Sequence, residues 1–139
     1  MRKIDHIGVA VRSIDAALRL YEGCLGLKKT IVEEVASQKA RVAVLPIGDC
    51  RLELLEGMGE DSPVARSIAR RGEGLHHICF EVEDIHAELN RLRAAGVPLI
   101  DEEPRPGADG RLVVFLHPSG TGGVLIELSQ QSNVNPVSR

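Results

Sequence analysis

His6-Ile7-Gly8-Val9-Ala10-Val11-Arg12-Ser13-Ile14-Asp15-Ala16-Ala17-Leu18 recurs 71 residues later as His77-Ile78-Cys79-Phe80-Glu81-Val82-Glu83-Asp84-Ile85-His86-Ala87-Glu88-Leu89, with six of thirteen positions identical. Later in each half a second correspondence follows, Leu52-Glu53-Leu54 against Ile126-Glu127-Leu128. Self-similarity at a fixed offset marks repeated copies of one supersecondary unit. The copies run over about residues 1–60 and 74–129, joined by a short helical linker at 61–73, and are expected to share one domain of residues 1–129. Residues 130–139 carry few large apolar side chains and read as a loose tail.

Each copy reads as strand, helix, then further strands. Ile4–Val11 and Leu75–Val82 alternate as half-buried strands do. Ser13 is placed to cap a helix carrying Ile14, Ala17, Leu18, Tyr21 and Leu25 on one face, with Gly26 beyond its end. In the second copy Asp84 caps, Ile85, Leu89 and Leu92 form the stripe, and Gly96 stops the helix. Extended segments follow at Thr30–Val35, Ala40–Leu45 and Leu52–Glu56, with Leu112–Leu116 and Val124–Leu128 as counterparts. Ser62-Pro63 opens the linker helix and Gly72 closes it.

Strand alternation decides which residues share a face. Ile7, Val9 and Val11 point toward the helix, so His6, Gly8 and Ala10 point away; His77, Cys79 and Glu81 do the same in the second copy. The small neighbours leave room above the sheet. Glu53 and Glu127, each flanked by apolar residues, fall on that same face. Strict alternation sends His76 to the opposite side, and His86 and His117 read as solvent or packing residues. Pairing of the copies about a pseudo-two-fold axis gives an α+β fold, one curved mixed sheet with helices on its convex side. Its concavity then holds His6, Glu53, His77 and Glu127. Two imidazoles and two carboxylates suit Co(II), Ni(II), Zn(II) or Mn(II). Without a cation, two carboxylates brought together repel and one stays protonated.

Composition narrows the function. A net charge of −3 gives no pull toward nucleic acid, and the three aromatics, Tyr21, Phe80 and Phe115, are too few for stacking bases. No apolar run approaches the ~20 residues that cross a bilayer, and the N-terminal residues lack a signal-peptide pattern, which favours the cytoplasm. Cys24, Cys50 and Cys79 form no Cys-x-x-Cys pair and read as reduced core residues.

The residues now carry a resemblance that spans nearly the whole chain. Paired βαβββ modules with one His and one Glu each resemble the vicinal oxygen chelate superfamily. Within it, Ile4–Val11, Gly74–Val82, Asp101-Glu102-Glu103-Pro104-Arg105-Pro106-Gly107, Phe115-Leu116-His117-Pro118 and Gly123–Leu128 are similar to methylmalonyl-CoA epimerases. The resemblance implies His6, His77 and Glu127 as metal ligands, with Glu53 where some members have Gln. It favours Co2+, with Zn2+, Ni2+ or Mn2+ as alternatives. It also implies an acyl-CoA substrate and a homodimer. Epimerisation at C2 of methylmalonyl-CoA removes a proton alpha to two carbonyl groups through a metal-stabilised enediolate and returns it to the other face. Some epimerases carry a catalytic Glu at the place of Val42, where this chain has none, leaving Glu127 and Glu53 as the acid–base pair. Lys39, Arg41, Arg105 and Arg111 are candidates for the CoA phosphates or the free carboxylate. The rival readings are a glyoxalase I, a ring-cleaving dioxygenase, and a metal-free binding module, whose cleft would call for aromatics.

Overall fold

A computed structural model describes residues 1–131. Its strands are β1 (Lys3–Ala10), β2 (Ile31–Val35), β3 (Ala40–Ile47), β4 (Cys50–Gly57), β5 (Gly74–Glu81), β6 (Arg105–Pro106), β7 (Leu112–Leu116) and β8 (Ile126–Gln130). Its α-helices are α1 (Ile14–Leu18), α2 (Pro63–Arg71) and α3 (Ile85–Ala94). The strands form one mixed sheet in the order β2-β3-β4-β1-β5-β8-β7-β6. That order reads identically from either end when the copies are exchanged, with β1 and β5 antiparallel at the centre. In each copy the first strand pairs in parallel with the last, β1 with β4 and β5 with β8.

The repeat extends to individual hydrogen bonds. The Ser13 side chain accepts from the Ala16 N–H, and Asp84 accepts from Ala87. Glu56 Oε1 takes the N–H of Ile14 at 2.8 Å, and Gln130 Oε1 takes that of Ile85 at 2.7 Å. Each helix start thus has its orphan donors met by its own cap and by the last strand of its own copy.

α1 packs Ile14 on Val11, Ala43, Leu45 and Leu54, while α3 packs Ile85 and Leu89 on Val82, Val114 and Leu128. Each such fully buried side chain contributes about 1.5–3 kcal/mol of transfer free energy. The third helix behaves differently. Val64 and Ile68 of α2 pack with Ala10, Val42 and Leu55, so α2 closes one end of the opposite face instead of covering the convex side.

Several expectations are corrected. The first helix does not continue as an α-helix to Leu25; Arg19–Cys24 is π-helical, and the Leu25 N–H donates to the Leu20 carbonyl five residues back at 2.8 Å. The wider turn shifts the stripe by one position, leaving Leu25 59% exposed and bringing Leu27 against the core. Ile7 is not covered by a helix, because α1 and α3 sit over their own copies and leave the β1–β5 seam open, with Ile4 42% and Ile7 37% exposed. Cys24 and Cys50 are exposed, the first in the π-helical turn and the second at the start of β4; Cys79 alone is buried. A two-residue β6, preceded by Pro104 and ending on Pro106, completes the second copy. The tail expected from Gln130 begins inside β8, and residues 132–139 lie outside the described residues. Among the described residues, no helix is long and apolar enough to cross a membrane.

Candidate metal centre

The seam between β1 and β5 sets the site. Lys3, Ile4 and His6 pair with Glu81, Phe80 and Cys79; exchanging the copies gives Gly74, Leu75 and His77 paired with Ala10, Val9 and Gly8. Both halves of this register skip one residue, Asp5 in β1 and His76 in β5. These are β-bulges, in which an extra residue breaks the simple alternation of faces. Each histidine after a bulge lies over a small residue of the other copy. A Cβ on Gly8 would stand 2.3 Å from His77 Cε1.

Glu53 stands on β4 beside Gly8, and Glu127 on β8 beside Cys79. All four expected site residues are buried and meet at the seam: His6 3%, Glu53 4%, His77 5% and Glu127 3% exposed. His6 Nε2, His77 Nε2 and Glu127 Oε1 are mutually 2.9 Å apart, and Glu53 Oε1 lies 3.3 Å from His6 Nε2. A cation bonded at about 2.1 Å to three atoms at right angles spaces them about 3.0 Å apart. Glu127 Oε1 is buried and accepts no well-aligned hydrogen bond. A triangle of converging donor atoms with an orphaned oxygen is a set that could hold a divalent cation. Val42 belongs to the apolar cluster with Ala40, Val44 and Leu55, so no carboxylate stands there.

In the metal-free protein the four groups share charge unevenly. Burial opposes charge on His6, but the Glu53 carboxylate and the hydrogen bond to Asp5 outweigh it and hold the imidazole well above its ordinary range. Burial and then the Glu127 charge raise Glu53, against the pull of His6 and Arg51. For Glu127 burial is overcome by the charge of His77 and by the close approach of both imidazoles, which hold it well below the usual carboxylate range. Burial, then the Glu127 charge, pushes the Cys79 thiol up to about 12, so it stays protonated beside His6.

Asp5 and His76 were the residues that alternation misplaced. Asp5 is 1% exposed; its Oδ2 accepts from His6 Nδ1 at 2.7 Å, and it is paired with both Arg51 and Arg111. Burial raises Asp5, but the His6 and Arg51 hydrogen bonds and the two guanidiniums prevail and lower it to about 2. The bulge brings His76 Nδ1 within 2.9 Å of His77 Nδ1. Burial, then the charges of His77 and Arg71, lowers His76 to about 4, and it remains neutral.

Of the basic residues considered for phosphates, Lys39 pairs with Asp61, Arg41 with Glu56, Arg105 with Asp101 and Arg111 with Asp5. Arg70 and Arg71, exposed at the end of α2, border a cavity of about 1010 Å³. Leu75, His76, His77 and Val124 also line it, so His77 faces this cavity and the four-residue cluster together. Among the described residues neither Arg70 nor Arg71 has a carboxylate within 4.0 Å.

Comparison with known proteins agrees with this architecture. The family described as Glyoxalase/Bleomycin resistance protein/Dioxygenase superfamily matches residues 5–115. The uncharacterized protein YqjC of Bacillus subtilis is 43% identical over 94% of this chain and 93% of its own length. The ethylmalonyl-CoA/methylmalonyl-CoA epimerase of Cereibacter sphaeroides is 36% identical over 92% of this chain and 97% of its own. A solved methylmalonyl-CoA epimerase in complex with methylmalonyl-CoA and NH4+ superposes with a TM-score of 0.93 at 38% identity, covering 96% of this chain and 97% of that one.

Proposed function

The chain belongs to the Glyoxalase/Bleomycin resistance protein/Dioxygenase superfamily, and from that premise we propose that it interconverts (2R)- and (2S)-methylmalonyl-CoA. The observation that carries the reading is the seam itself, where Glu53 and Glu127 arrive from opposite copies at one pair of imidazoles. Epimerisation needs one group to take the C2 proton and another to deliver a proton from the other side. The two carboxylates supply that pair. One carboxylate takes the C2 proton from one epimer while the other delivers a proton to the opposite face, and the roles exchange for the other epimer.

His6, His77, Glu127 and Glu53 would hold a divalent cation, Co2+ by resemblance, which would supply a Lewis acid for the charge that develops as C2 loses its proton. The acyl-CoA arm extends into the cavity beside His77, with Arg70 and Arg71 toward its phosphates and Leu75 and Val124 against its apolar stretch. Two chains pair through the uncovered seam of Ile4 and Ile7, since an apolar strip of this kind gains from burial.

The test is incubation of metal-loaded protein with a single methylmalonyl-CoA epimer in D2O, with the methylglyoxal–glutathione adduct as a separate substrate. Racemised, C2-deuterated methylmalonyl-CoA is expected, and the adduct should remain unchanged. Conversion of the adduct alone would replace this reading with a glyoxalase I.

A further inference from the structure

We propose that Asp5 and His76 are a matched pair of positioning residues, each fixing the tautomer and tilt of the cation-binding histidine that follows it. The inference rests on the reading of the seam cluster as a cation site. Its basis is the symmetry of the two bulges. The residue skipped in β1 is the one before His6, the residue skipped in β5 is the one before His77, and the two are related by the repeat. In both, the bulge puts a polar atom against the outer ring nitrogen, Asp5 Oδ2 at 2.7 Å from His6 Nδ1 and His76 Nδ1 at 2.9 Å from His77 Nδ1.

An ionised carboxylate only accepts, so His6 Nδ1 donates to Asp5 and its Nε2 is left as a lone-pair donor in the neutral ring. Two nitrogens 2.9 Å apart need an N–H or a cation between them, and the Nδ1 pair lies away from the cation cluster, so it shares an N–H. With His77 as that donor, His76 Nδ1 accepts and His77 Nε2 also faces the cluster as a lone pair. Both rings then present Nε2 beside Glu127 Oε1, the three atoms at 2.9 Å spacing. A hydrogen bond to the outer nitrogen of a ligating imidazole fixes its orientation and raises its basicity, and losing it weakens metal binding 10–100-fold. The two copies reach this end by different chemistry. Asp5 is itself held by Arg51 from the first copy and Arg111 from the second, whereas His76 sits at the edge of the cavity bordered by Arg71.

The experiment combines Co(II) titration against a chelator with 15N NMR of the histidine rings in the metal-free protein. His76→Ala should weaken Co(II) binding 10–100-fold and remove the Nδ1–H signature of His77. His76→Asn, whose amide oxygen accepts near the place of Nδ1, should restore affinity to within a few-fold. Asp5→Asn, which still accepts but loses its charge, should cost less affinity than Asp5→Ala. His86→Ala, on the exposed face of α3, should change neither readout. A His76→Ala protein that binds Co(II) as tightly as the unaltered chain overturns the proposal, as does a metal-free unaltered protein with His77 protonated on Nε2. If the unaltered protein takes up no Co(II), the cation reading falls. The positioning role then stands or falls on whether the His77 Nδ1–H signature is present and is lost in His76→Ala.

Discussion

Gly8 of β1 lies directly opposite His77 of β5, so close that the imidazole occupies the space a Gly8 side chain would need. Gly8→Ala puts a methyl group 2.3 Å from Cε1 and 2.5 Å from Nδ1. The ring must move, because it is the mobile partner, and it then leaves both His76 and the cluster. Co(II) affinity should fall about tenfold or more, on the scale of losing an outer-nitrogen hydrogen bond, while the circular dichroism spectrum is retained. An alanine variant with unchanged affinity would contradict the placement of His77.

Cation loading should depend on pH in a defined direction. His6 is held above its ordinary pKa of 6.5 in the metal-free protein, so a proton occupies the site at neutrality. A cation displaces that proton, and its affinity rises with pH until the folded-state pKa of His6 is passed. Calorimetry in buffers of different ionisation enthalpy should show protons released on binding. The sign for stability is opposite. A raised pKa contributes stability fully present below pH 6.5 and lost as pH rises through the folded value. Metal-free protein should therefore lose stability on the alkaline side, where metal-loaded protein does not.

Acid acts through Asp5. Its pKa falls from 3.8 to about 2 on folding, so it contributes stability above pH 3.8 that is lost as pH falls toward 2. The shift corresponds to roughly 1–2 kcal/mol after allowance for solvent screening. Asp5→Asn should flatten the acid limb of the denaturation profile; an unchanged limb would assign acid unfolding to other carboxylates.

The two carboxylates should separate in kinetics at saturating metal. Glu127→Gln is expected to lower kcat about 10²-fold or more, the scale of losing a positioned acid–base group. Glu53→Gln still offers a carbonyl oxygen to a cation but carries no proton, and should also lose turnover. In D2O, product should carry deuterium at C2 while unreacted substrate stays unlabelled early on. A fully metallated Glu53→Gln protein with unaltered kcat would remove Glu53 from the proton path.

Assembly has its own test. Ile4 is 42% exposed on the seam that neither α1 nor α3 covers. Sedimentation should give a dimer at micromolar concentration and a monomer for Ile4→Asp. A monomeric unaltered chain would leave the seam without a partner copy.

The repeat made much of this legible in the sequence, because side-chain period, caps and the spacing of His and Glu are local properties that recur. The bulges were not. Alternation counts faces along one strand, whereas a bulge is set by how strands about 70 residues apart choose to pair. A trace of it was present. Asp5 and His76 are polar at positions where strict alternation asks for residues like Ile7 and Ile78, and that conflict is the signature of an extra residue. The π-helical turn at Arg19–Cys24 left no comparable sign, since its apolar spacing also fits an ordinary helix until Leu27 is found inside and Leu25 outside. β6 is two residues long and ends on a proline, below the length at which alternation can be read.

The central β1–β5 ladder also bears on the order in which the chain acquires its structure. β2, β3 and β4 are joined by short turns, but the ladder pairs Lys3 with Glu81, far apart in the chain. Contacts of that separation carry the larger loop-closure entropy and slow folding. Each half can form its hairpins alone, yet each then holds only one histidine and one carboxylate. A cation bound across His6 and His77 therefore acts as a cross-link over a long loop, and removing it should speed unfolding by releasing one half from the other.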